Sequence, residues 1–174
     1  MNFTHLHTHS HYSLLDGMSK ISDMVKLAKE HGMTAIALTD HGVMYGAIDF
    51  YTKCVKNGIK PIIGCEVYVA NRTRFQKEPG IDNKRYHLTL LAKDNTGYQN
   101  LIKLTTAAHL EGYYYKPRVD KDILRTHAEG LLCLSGCPGS ELGRAIQSGN
   151  KEKAEKIILE YQVIFGPENY YLEI

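Results

Sequence analysis

Near its start the chain reads His5-Leu6-His7-Thr8-His9-Ser10-His11, four imidazoles alternating with other residues. Side chains two apart on an extended segment project to one face, so His7 and His9 can hold one metal ion through ring nitrogens. His5 and His11 share that face. The interleaved Leu and Thr suit a strand buried on both sides, which turns the rings inward. Two plainer readings compete: a histidine-rich tract that takes up metal adventitiously, and a purification remnant. The interleaving argues against the remnant.

Further metal-binding residue types recur at the ends of apolar runs: Asp40-His41, Gly64-Cys65-Glu66, His87 and Ser135-Gly136-Cys137. In parallel α/β folds ligands gather at the carboxyl ends of strands, and five successive strands would each contribute His, Glu or Cys there. One histidine on a strand is more often a satisfied core residue. Five coincidences are harder to dismiss. Imidazole, carboxylate and one thiolate together suit zinc, with manganese or iron also compatible, whereas magnesium would want oxygen ligands throughout. The pattern is that of a multinuclear site.

The elements that would position these residues follow from periodicity. Residues 2–9 read as the first strand, followed by the loop Tyr12-Ser13-Leu14-Leu15-Asp16-Gly17. Ser22 reads as the N-cap of a helix carrying Met24, Val25, Leu27, Ala28 and His31, which Gly32 stops. Strands are expected at 34–39, 60–69, 86–92 and 131–135, with a last one beginning in 170–174. Helices are expected at 46–56 (on the spacing of Ile48, Tyr51 and Val55), 95–110, 121–126, 141–147 and 151–165. Residues 71–85 form a long polar loop with five basic and two acidic side chains. Alternating strands and helices predict an α/β fold with a mainly parallel sheet or barrel, as one domain over 1–174.

With 174 residues, 43% of them hydrophobic, and a formal charge of +2, the chain suits one globular domain and does not announce nucleic-acid binding by bulk charge. No segment reaches the roughly 18–20 apolar residues of a membrane span, and residues 1–4 lack the features of a signal peptide, so the expected location is the cytoplasm with no membrane contact. Cys54, Cys65 and Cys133 read as small buried hydrophobes.

The strings His5-Leu6-His7-Thr8-His9-Ser10, Thr39-Asp40-His41-Gly42 and Gly64-Cys65-Glu66 resemble the motifs of the polymerase and histidinol phosphatase (PHP) superfamily, a distorted (β/α)7 barrel with up to three metals. More narrowly, the chain is similar over its whole length to the amino-terminal PHP domains of bacterial DNA polymerase III alpha subunits. Tyr12-Ser13-Leu14-Leu15-Asp16-Gly17, Gly58-Ile59-Lys60-Pro61-Ile62-Ile63-Gly64, His87-Leu88-Thr89-Leu90-Leu91-Ala92, Asn95-Thr96-Gly97-Tyr98-Gln99-Asn100-Leu101 and Leu134-Ser135-Gly136-Cys137 carry that likeness. The resemblance implies one metal at His7, His9 and Glu66, a second at Asp16 and His41, and a third between Glu66, His87 and Cys137, with Glu66 bridging. Asp40 would orient a ligand from behind. His5 sits where many superfamily members carry Asp, and His11 falls outside the motif. The family also implies a later Asp-x-His pair, so the chain reads as a piece of a longer replicative subunit that stops before its last strand or strands. Little activity and an unpaired sheet edge are expected of such a piece.

Three functions follow from the resemblance. The first is a metal-dependent 3′ to 5′ exonuclease or related phosphoesterase beside a DNA-directed DNA polymerase, taking a single strand or 3′ end of DNA. Arg72, Arg74, Lys84, Arg85, Lys116 and Arg118 would guide the DNA backbone and Tyr113 to Tyr115 would stack on bases, although a solvated loop and ordinary packing explain the same residues. The second is a metal-stabilised scaffold for the polymerase, for other replicase subunits or for a proofreading exonuclease. The third is a free-standing histidinol-phosphatase-like enzyme.

Overall fold

Helix α1 (Ile21–Glu30) buries Ile21, Met24, Val25 and Ala28 on one stripe. Lys20 occupies its N-cap without a side-chain cap bond, so Ser22 lies inside the first turn and is not the cap. The computed structural model describes residues 3–14 and 16–174; Asn2 of the expected first strand and Leu15 of the expected loop lie outside the described residues. Strand β1 (Ala35–Leu38) is buried along its length. In α2 (Ala47–Lys56) the buried stripe is Ala47, Phe50 and Cys54, while Ile48, Tyr51 and Val55 are exposed. Both stripes have helical spacing. The one with Phe50 and Cys54 closes a core with α1 and β1, and periodicity alone does not choose between them.

The remaining strands are β2 (Lys60–Ala70), β3 (Arg85–Ala92), β4 (Arg118–Val119), β5 (Leu131–Leu134) and β6 (Tyr170–Tyr171). Together with β1 they form one mixed six-stranded sheet in the order β1-β2-β3-β5-β6, with β4 beside β2. The expectation of a mainly parallel sheet fails at β3, which is antiparallel to both β2 and β5. No helix separates β2 from β3, and a connection without a crossover helix returns the chain antiparallel. The two-residue β4 lies inside what reads in sequence as a plain connector.

Four helices begin where a polar side chain caps them. Asp94, Asp120, Ser140 and Asn150 accept from backbone N–H groups at the starts of α3 (Asn95–Leu110), α4 (Lys121–Thr126), α5 (Glu141–Gln147) and α6 (Lys151–Phe165). These four keep the bounds expected from the sequence. Their apolar faces meet Cys65, Val67 and Val69 of β2, Leu88 and Leu90 of β3, and Leu131 and Cys133 of β5 in the main core. The alternate residues of the same strands face the other way.

Residues 3–9 form no ladder strand, contrary to expectation. They still run along β1: Ala37 N–H donates to His5 O (2.9 Å), Thr39 N–H to Thr8 O (2.8 Å), and Thr8 N–H to Thr39 Oγ1 (2.9 Å). The acceptors stand three positions apart and the donors only two. The extra residue acts like a bulge, breaking the register that a regular strand needs.

Candidate metal centre

The face of the sheet opposite the main core carries Glu66 and Tyr68 from β2 and His87 and Thr89 from β3, with Tyr68 opposite His87 and Glu66 opposite Thr89. Because β3 runs backwards, its opening residues lie at the edge where β1 and β5 end. This explains why His87 opens its strand while Asp40-His41 and Ser135-Gly136-Cys137 follow theirs. The His41 turn is zipped to β2: Glu66 N–H donates to Asp40 O (3.2 Å) and Gly42 N–H to Glu66 O (2.9 Å). Asp40 is buried and accepts from Ser10 N–H (2.6 Å) and Ser10 Oγ (2.8 Å), so it fixes the segment carrying His9 without touching a ligand ring. Burial raises the Asp40 pKa, and the two Ser10 bonds oppose that.

Glu66 is the centre of the constellation. Its Oε2 lies 2.7 Å from His9 Nε2, 3.0 Å from His7 Nε2 and 3.1 Å from His41 Nδ1, and its Oε1 lies 2.9 Å from His87 Nδ1. Cys137 Sγ sits 3.7 Å from His87 Nδ1 and 4.0 Å from Glu66 Oε1. Asp16 Oδ2 is 2.8 Å from His41 Nε2 and 3.9 Å from His9 Nδ1. Three groups converge closely enough to share an ion: His7-His9-Glu66, His9-Asp16-His41 and His41-Glu66-His87. All seven expected residues therefore meet. The grouping adds two neighbours to the expected sets: His9 also faces Asp16, and His41 joins Glu66 and His87, beside which Cys137 lies. His5 instead packs on Phe3 and His11 on Tyr12.

His9 Nε2, His41 Nδ1 and Glu66 Oε2 are buried without a hydrogen-bond partner. Stranded polar atoms of this kind cost free energy, and three that converge on one point are what a metal ion would satisfy. Burial opposes charge on Glu66, but the imidazoles of His7, His87 and His9 close against it outweigh that and hold the carboxyl far below the usual range. Burial lowers the His41 pKa to about 4 against the pull of Glu66 and Asp16, which favours the neutral ring. Neutral imidazole and ionised carboxylate are the forms that bind metal.

The sequence pattern of the PHP domain matches residues 5–174. The chain belongs to the PHP domain family. It is 50% identical over 175 residues to the DNA polymerase III subunit alpha of Treponema pallidum, covering 100% of this chain and 15% of that one. The corresponding Borreliella burgdorferi subunit is 50% identical over 173 residues (99% and 15%), and that of Thermus aquaticus 48% over 178 residues (100% and 14%). This PHP domain thus spans about 15% of the length of the relatives it matches. Its fold is shared, at 11% identity and a TM-score of 0.54, by a solved Bifidobacterium adolescentis protein provisionally described as a metal-dependent phosphoesterase, with 91% and 82% of the two chains covered.

One member of the PHP site escapes a sequence reading. Glu173 Oε1 lies 2.6 Å from His7 Nδ1, Glu173 N–H donates to Ser135 Oγ (2.9 Å), and Glu173 Oε2 is another buried oxygen without a partner. No spacing signal links residues 166 apart. Burial disfavours a charged His7, but bonds to Glu173 and Glu66 outweigh it and raise the ring to about 10. The metal-free domain therefore favours a proton on His7 at pH 7, and uptake of a metal ion by this ring would have to release it. Glu173→Gln is expected to weaken metal binding by about 10- to 100-fold and to reduce the proton release. Competition with a chromophoric chelator and titration calorimetry in buffers of different ionisation enthalpy measure the two effects. Equal affinity in both proteins would rule out an orienting role. Linkage also gives the sign for stability without metal: the contribution of His7 is full below about 6.5 and is lost as pH rises through about 10.

Half of the basic set expected to guide DNA is committed elsewhere. Arg72 pairs with Asp82 and Glu78, and Arg74 with Asp120 and Glu111. Arg118 is wholly buried, with its guanidinium donating to the carbonyls of Gly112, Asp82, Arg74 and Gln76. Their charges serve the fold. Arg85 and Lys116 remain beside the site, 5.6 and 5.7 Å from the Tyr68 ring centre.

Proposed function

We propose that this PHP domain is a metal-dependent phosphoesterase acting on nucleic-acid 3′ ends, and that it works within a DNA polymerase III alpha subunit, a DNA-directed DNA polymerase of the cytoplasm. The convergence of three ring nitrogens on the buried Glu66 Oε2 carries this reading. His7, His9 and Glu66 would hold one ion, His9, Asp16 and His41 a second, and Glu66, His87, His41 and Cys137 a third; zinc suits this donor set, and manganese or iron also fits. Bound ions would polarise a phosphoryl oxygen and lower the pKa of attacking water. Glu66 holds the histidines in register, Asp40 and Glu173 fix the His9 segment and the His7 ring, and Arg85 and Lys116 draw a phosphate towards His41. Tyr68, stacked 5.5 Å over His41, walls the site from solvent. The domain would span 1–174 as part of a distorted (β/α)7 barrel. Its partners would be DNA, other replicase subunits and a proofreading exonuclease, and the likeness to polymerase subunits over the whole chain supports that setting.

The test is degradation of 5′-labelled single-stranded DNA by the longer subunit that contains this domain, with zinc or manganese. Stepwise 3′ shortening is expected, with His9→Ala slower by at least about 100-fold. A metal-loaded protein that degrades nothing and cannot be told from His9→Ala would sink the nuclease. The scaffold reading would then take its place, because the same ligand cluster can hold metal for structure alone.

A further inference from the structure

Beside the metal centre lies a cleft of about 270 Å³ lined by Asp16 and His41 together with Tyr45, Tyr113, Tyr115 and Lys116. We infer that this cleft is a nucleobase subsite, stacking an unpaired base of a single strand whose neighbouring phosphate faces His41. This deepens the phosphoesterase reading and rests on it.

Four observations point to a nucleic-acid strand. Tyr45, Tyr113 and Tyr115 leave 62%, 54% and 67% of their surface exposed, although aromatic rings are ordinarily buried. Tyr115 has φ +60°, among the described residues the one non-glycine with positive φ, and that is a costly conformation for a bulky side chain. The turn that imposes it is closed by Tyr114 N–H donating to Lys116 O (3.1 Å) and is anchored by the buried Arg118, 5.3 Å from the Tyr114 ring. A rigid base thus presents an exposed ring.

The same turn is seated on the metal loop. A Cβ on Gly42, the neighbour of His41, would lie 2.8 Å from Pro117 Cγ and 3.3 Å from the Tyr68 ring, and Gly42 has φ +66°. Only glycine suits that contact, and His109 Nε2 lies within hydrogen-bond distance of Gly42 O (3.1 Å). Lys116 and Arg85 lie against the ring of Tyr68, which lines the cleft together with His41. Aromatic faces flanked by cations on one continuous path are the arrangement that tracks a single strand: rings take bases and cations take phosphates. Exposed tyrosines meant for a protein partner would not need to open onto Asp16 and His41.

The test measures fluorescence anisotropy of a 5′-fluorescein oligothymidylate against the same strand with its last two nucleotides abasic, in EDTA so that no turnover occurs. The native chain is expected to prefer the strand with bases by about tenfold. Tyr115→Asn keeps a residue tolerant of positive φ while removing the ring, so it should fold normally. Combined with Tyr113→Ser it is expected to abolish the preference, while Tyr51→Ser, at an exposed ring that does not line this cleft, keeps it. A native chain that binds both strands equally, or a double variant that still discriminates, would overturn the subsite. Shortening of DNA without base preference would leave the phosphoesterase standing and remove the subsite. Base preference without shortening would do the reverse.

Discussion

Glu66→Gln is expected to lose metal binding more completely than any other single isosteric change in this chain, by about 100-fold. The reason is geometric. Glu66 Oε2 is shared by His7, His9 and His41, and Oε1 faces His87, so one carboxylate belongs to two of the three ligand groups. An amide supplies one oxygen without charge and turns an NH2 towards rings that must present lone pairs. Asp16→Asn, by contrast, touches only the His9-Asp16-His41 group and should lower the metal content without emptying the site. Metal analysis after gel filtration, with circular dichroism to show that the fold is kept, separates the two variants. Equal metal content in Glu66→Gln and the native chain would refute the central role given to this carboxylate.

Asp40-His41, Glu66, His87 and Cys137 were legible because each stands where an apolar run meets a polar residue able to bind metal, and that edge collects functional groups in α/β folds. Their mutual arrangement was not legible, because it depends on the reversal of β3. Helices α3 to α6 were readable to their ends, since a capping side chain marks each start. In α2 the apolar periodicity pointed to the wrong stripe, because Ile48, Tyr51 and Val55 have the same spacing as the buried residues beside them. Long-range partners leave no periodic trace at all. Glu173 reaches His7 across the whole chain, and Arg118, which reads as a surface cation, is interior.

Arg118→Met carries the largest expected effect on stability. Its guanidinium donates to four carbonyls, from Gly112 (2.9 Å), Asp82 (2.8 Å), Arg74 (3.0 Å) and Gln76 (3.0 Å), and so gathers three separated stretches of loop around β4. Methionine fills much of the volume but strands those acceptors, each at about 1–3 kcal/mol if water cannot reach it. Partial hydration and the side chain's recovered desolvation keep the total below the sum, at about 3–5 kcal/mol. In urea, at a slope of about 2 kcal/mol/M, the midpoint should fall by roughly 1.5–2.5 M. Arg118→Lys should recover little, because a single ammonium with three donors cannot reproduce a planar fork with five. Lys84→Ala, at an exposed position of the same loop, should shift the midpoint by less than about 0.3 M. A midpoint for Arg118→Met within that smaller range would mean that the tyrosine turn and the metal loop hold together without the arginine. In that case Gly42 and Pro117 would be the joint that keeps Tyr115 beside His41.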